Sequence, residues 1–153
     1  LEVLSSMVSC DGEAEMDLAN FGAVLGFAIE FEEAAARFYE AAAARTGQAV
    51  YEDMAAAHQK RKRTIENTRR ENVTEMILEP IYGMTREQFW PADLLERVEA
   101  AQADVRALAR AMEERSAAFY GLAGDKVSIP EVQRTLRRLA KESAQAGERL
   151  AAD

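Results

Sequence analysis

Between Phe21 and Ala42 the apolar positions fall at Phe21, Val24, Ala28, Phe31, Ala35, Phe38 and Ala42, with spacings of three and four in alternation. A stripe of that kind packs a helix along one side. It predicts a helix from Asp17 to Arg45, with Leu25, Glu32 and Tyr39 as a parallel row and Gly47 as the stop. A second helix is expected from Ala49 to Asn72 on Tyr51, Met54, His58, Arg61, Ile65 and Thr68, a stripe that starts apolar and turns polar in its middle. The stretch "VTEMILEPIYGMTREQFWP" has no clear period and is punctuated by Pro80, Gly83 and Pro91, which predicts a crossover with a short helical turn.

A third helix is expected to start after Trp90, with Pro91 in its first turn where the missing N–H costs little. It reads on to about Leu122 through Leu94, Val98, Ala101, Val105, Leu108, Met112 and Phe119. "GDK" predicts a turn, and Ser128 with Glu131 has the spacing of a capping box for a fourth helix that continues to the end. That helix turns Val132, Leu136, Leu139, Ser143, Ala146 and Leu150 inward. Residues 1–16 are expected to form a leader, and 17–153 one all-α domain.

The first and third helices repeat each other. A shift of 81 residues pairs Val24, Ala28, Glu32, Glu33, Ala36, Phe38, Tyr39 and Ala42 with identical residues, Val105 to Ala123. Alanine matches come cheaply in helices, so the Glu-Glu and Phe-Tyr pairs weigh most. The second and fourth helices share stripe geometry, with Ala55 opposite Ala140.

Composition narrows the function. A net charge of −8 argues against general binding to nucleic acid. One cysteine, Cys10, excludes an internal disulfide and a multi-thiolate zinc site, and fits a reducing, cytoplasmic setting. No run of 18 or more apolar residues appears, so no membrane span is expected. "HQKRKR" and "TRR" on the second helix suggest a basic patch, but Lys60, Lys62 and Arg63 fall off the stripe, where a solvated face paired with nearby acids is the better reading.

The chemistry lies in the inward polar residues. "E-E-x-x-A-x-F-Y" at 32–39 and 113–120, "Y-x-x-M-A" at 51–55 and "L-x-x-L-A" at 136–140 resemble the rubrerythrin-type branch of the ferritin-like superfamily over roughly Phe21 to Leu150. The resemblance implies a four-helix bundle of two helix pairs joined by a long crossover. It also implies a di-iron site, held by one Glu from each of helices one and three and a Glu-x-x-His pair from each of helices two and four. Glu32 and Glu113 match the first two positions, but His58 and Arg61, then Ser143 and Ala146, stand where the Glu-x-x-His pairs would be. A guanidinium has no lone pair for a metal, and one cysteine cannot supply the rubredoxin-like thiolates that accompany rubrerythrins.

The expectation is therefore a largely lost metal site, in which Arg61 takes the place of iron, holds both carboxylates and leaves a non-catalytic protein without cofactor. The alternative is a metal-dependent oxidoreductase handling peroxide or oxygen, with one iron, manganese or zinc ion on Glu32, Glu113 and His58. Tyr39 and Tyr120 are expected to line the site or simply to pack with their hydroxyls on neighbouring carboxylates. His58 also reads as a hydrogen-bonded core histidine, and Glu142 as a solvated acid beside Lys141. A homodimer is expected through an apolar flank around Phe27, Ile29 or the crossover's "MILEPIY".

Overall fold

The computed structural model describes residues 17–72 and 79–152, which form helices and no strand. The five α-helices among them are α1 (Phe21–Thr46), α2 (Ala49–Glu71), α3 (Ala92–Arg97), α4 (Val105–Lys126) and α5 (Pro130–Ala152). The leader, Cys10 and Met76 to Leu78 of the crossover lie outside the described residues.

α1 begins four residues later than its stripe suggests. Asn20 caps it, its Oδ1 accepting from the Ala23 N–H at 2.8 Å, which satisfies one of the free amides of the first turn. Asp17 to Asn20 instead run extended against the crossover: Leu18 N–H donates to the Met84 carbonyl at 3.0 Å and Ile81 N–H to the Ala19 carbonyl at 2.8 Å. Gly47, at φ 69°, ends α1 in the left-handed conformation that favours glycine, and its N–H closes on the Ala43 carbonyl. The chain then reverses at once into α2, so α1 and α2 pack along their length. α4 and α5 form the matching pair, and α1 touches α4.

The single third helix expected from Pro91 to Leu122 is two helices. The chain leaves helix at Val98 and re-enters at Val105, where the Asp104 carboxylate accepts from the Ala107 N–H at 3.1 Å. A local cap inside an alanine-rich segment has started a new helix, and Arg45 takes up the Glu99 carbonyl in the break at 3.0 Å. At the other end α4 continues through "GDK" to Lys126 rather than turning there. Gly124 lies inside the helix because α5 crosses it closely: a Cβ there would stand 3.1 Å from Arg137 Cγ. α5 begins at Pro130, so Ser128 lies one residue before the cap position, and its hydroxyl donates to Glu79 of the crossover.

An aromatic cluster fills the core at the crossover end, and a second, of Phe38, Tyr39 and Tyr51, lies beyond it. Phe27 is buried, with Phe119 edge-on at 5.1 Å, Phe31 at 6.2 Å and Trp90 at 6.1 Å. The Arg86 guanidinium sits 5.0 Å from the Phe27 ring and pairs with Glu30 at 2.7 Å. Phe27 is thus committed to the chain's own core and is not part of an outward flank. The short turn expected in the crossover is a 3₁₀ turn at Arg86–Gln88, held by a reciprocal Thr85–Gln88 cap. No helix among the described residues is long and apolar enough to cross a membrane.

Candidate functional site

Helical spacing places Glu32 of α1 and Glu113 of α4 on inward rows that meet where the two helix pairs join, and both are fully buried. Two ionised acids at full burial need donors and countercharge. The chain supplies both. His58 of α2 lies between them, Nδ1 2.5 Å from Glu32 Oε2 and Nε2 2.8 Å from Glu113 Oε2. Tyr120 of α4 reaches back to α1 and donates to Glu32 Oε1 at 2.6 Å. Tyr39 of α1 does the reverse, donating to Glu113 Oε2 at 2.6 Å. Arg61 Nη1 completes the set at 3.5 Å from Glu113 Oε1. Each of the four carboxylate oxygens therefore faces a donor from the chain.

The bridging cation is His58, not Arg61. With both carboxylates ionised, a neutral ring would turn a lone pair onto one of them, whereas the imidazolium donates to both. Arg61 has a longer arm that passes the midpoint and donates to Ser143 of α5 at 2.9 Å, touching one acid rather than two. Ser143 is itself 2.8 Å from Ser116. Glu142 stays half exposed at the rim, 3.8 Å from Arg61 Nε. Two acids, one imidazolium and one guanidinium sum to zero, so the buried cluster is neutral without an added ion.

Burial by itself favours the uncharged imidazole, but the charges of Glu32 and Glu113 and their hydrogen bonds outweigh it and raise His58 from 6.5 to about 9. Burial likewise pushes the Glu113 carboxyl up, and His58, Arg61 and the Tyr39 hydroxyl overcome it and hold the group below its usual range. Burial and then the adjacent carboxylate keep Tyr39 and Tyr120 well above the usual phenol value, so both remain donors. The His58 ring stacks on Tyr39 at 5.3 Å, and Tyr39 on Tyr51 at 6.2 Å.

Of the sequence candidates, Glu32, Glu113, His58, Arg61, Tyr39, Tyr120 and Ser143 join one hydrogen-bonded cluster. Ala146 makes no polar contribution and lines the cavity beside it. Ser116 was missed, although a serine between Met112 and Phe119 at inward spacing is a signal of the same kind as Ser143. Glu33 pairs with Lys62 at 2.8 Å on the surface, outside the cluster.

A metal pair does not fit these residues. Both imidazole nitrogens face carboxylate oxygens, so the donors point at one another and not at a common centre, and no group of three or more His, Cys, Asp or Glu among the described residues is arranged to hold an ion. Arg61 adds a fixed positive charge at the same place. The chain matches no family model, no curated protein and no solved structure.

Proposed function

We propose that the chain is a ferritin-like four-helix bundle of the rubrerythrin type, in which His58 and Arg61 stand where that family holds metal, and that it serves as a non-catalytic packing or interaction module. The observation that supports this reading is the capping of all four oxygens of Glu32 and Glu113 by donors of the chain, with His58 between them. A cluster already neutral and already hydrogen-bonded gains little from a cation and loses His58 and Arg61 contacts to admit one. Metal analysis of protein purified without chelator tests it: the expected content of iron, manganese and zinc is far below one per chain. A near-stoichiometric ion that disappears in Glu113→Gln would overturn the reading.

One observation favours a second reading, a mononuclear metal oxidoreductase on Glu32, His58 and Glu113. A cavity open to solvent reaches His58 and Glu113 and offers an entry path. The same metal analysis separates the two. The module reading includes a homodimer. With Phe27 buried, the face proposed for self-association is the crossover around Tyr82, 74% exposed. Sedimentation of the parent and of Tyr82→Asp tests it, a dimer turned monomer being expected.

A further inference from the structure

α2 and α5 do not close on each other above the acids. Between them lie two chambers that share Ala57, Arg61 and Arg149. The inner, of about 340 Å³, is walled by Val50, Met54, Ala146 and Leu150, with Asp53 at its edge and His58 and Glu113 at its floor. Such a volume falls in the range of small-molecule sites, roughly 300–1,000 Å³. The outer, of about 540 Å³, is polar and basic, with Lys60, Thr64, Arg138 and Gln145 around Arg61 and Arg149 and Glu142 as its one acid. Four cations gather here on a chain of net charge −8.

Arg61 gives the groove a built donor. Its side chain is 9% exposed, and Nη1 is used by Ser143 and Glu113. Nε and Nη2 make no hydrogen bond among the described residues, Glu142 standing 3.8 Å from Nε. Among the described residues no fully buried side-chain nitrogen or oxygen lacks a partner, so these two donors keep some exposure, and Arg61 lines both chambers of the groove. Together they are the side edge of a guanidinium, the planar fork that matches the two oxygens of a carboxylate. Arg149 and Lys60 make no ion pair among the described residues and line the same chamber as Arg61.

We infer that the groove between α2 and α5 binds a small amphipathic carboxylate, its head on Arg61, Arg149 and Lys60 and its alkyl tail in the chamber of Val50, Met54, Ala146 and Leu150. Ala146 makes room for the tail, because a larger side chain at that inward position would fill the chamber. The inference goes beyond the proposed function and is read by a different measurement, tail-length dependence rather than metal content.

The test is an amide-shift titration of the full chain with butyrate, hexanoate, octanoate and decanoate, each below its aggregation limit. Affinity is expected to rise about fourfold per added methylene until the chamber is full, with shifts on both α2 and α5. Lys60→Glu with Arg149→Glu, both at exposed positions, is expected to weaken octanoate at least tenfold. Ala57→Trp, also exposed and at the waist between the chambers, is expected to block the tail and abolish the chain-length trend. Inorganic phosphate is expected to bind weakly and to be indifferent to Ala57→Trp. Affinity independent of tail length, octanol binding as well as octanoate, or no shift at all would overturn the proposal. So would cosedimentation with phosphatidylglycerol vesicles when the free carboxylates leave the spectrum unchanged.

Discussion

His58 holds the buried cluster together through reach as much as charge. The imidazole is short and rigid, and from α2 its two nitrogens span Glu32 and Glu113 at 2.5 and 2.8 Å. The Arg61 side chain starts one helical turn further on and extends past the pair to Ser143. The inward acids and both cations were legible in the sequence from helical spacing; which cation lies between the acids was not, since that depends on side-chain length and rotamer. The consequence is an order of severity. His58→Leu leaves two buried carboxylates without their shared donor and is expected to cost about 3–5 kcal/mol. Arg61→Leu removes long contacts to Glu113 and Glu142 and one serine bond, leaves Glu113 its bonds to His58 and Tyr39, and is expected to cost about 1–3 kcal/mol. Urea unfolding at pH 7 checks both, and equal losses would contradict the bridging role. The same ring sets a pH limit. Its folded value, about 9, lies above the ordinary 6.5, so its stabilisation is complete below about pH 6.5 and is lost as pH rises through 9. The shift is equivalent to about 3 kcal/mol. Urea midpoints taken from pH 6.5 to 10 are expected to fall in the parent and to stay flatter in His58→Gln.

At the scale of elements, the stripes on α1, α2 and α5 marked helices correctly because buried residues recur along each at spacings of three and four. The interruption between α3 and α4 was hidden for a physical reason. Alanine fits helix and turn alike, and Val98 and Val105 are buried on either side of the break, so the apolar rhythm runs on where the backbone does not. What decides the matter is Asp104, whose side chain offers the backbone a cap in place of a helical bond. Asp104→Ala is expected to cost about 1 kcal/mol and to raise hydrogen exchange in the first turn of α4 above that of its middle. Unchanged exchange there would mean the break is held by packing of α3 on α1 and α4 instead. Ser128 shows the converse error: the spacing to Glu131 was present, but α5 starts at Pro130, one residue too late for Ser128 to cap it, and the hydroxyl pairs with Glu79 of the crossover. Local signals lose to partners that only the tertiary arrangement brings near.

Over the whole molecule, the repeat makes the site half symmetric. Tyr39 serves Glu113 and Tyr120 serves Glu32, an exchange that maps onto itself under the 81-residue shift. The other pair breaks it, with His58 and Arg61 on α2 facing Ser143 and Ala146 on α5. The charged arms on one side and the small residues on the other are complementary, since Arg61 crosses to Ser143 and a cavity lies against Ala146. That groove could not be seen in the sequence, because Lys60 and Arg149 come together only when α2 and α5 face each other. If the backbone keeps the proposed ferritin-like geometry, the four positions are all that separates it from a metal-binding bundle. The combined variant His58→Glu, Arg61→His, Ser143→Glu and Ala146→His replaces two internal cations with two carboxylates and two imidazoles. Four buried acids without countercharge would destabilise the fold, so metal and folding should become linked. The variant is expected to melt lower than the parent without metal, to regain stability with cobalt, and to hold about two ions per chain. Cobalt absorption and thermal melts on one sample check this. A variant that folds and takes up no cobalt would show that the four helices do not converge as in that family, whatever the likeness of their residues.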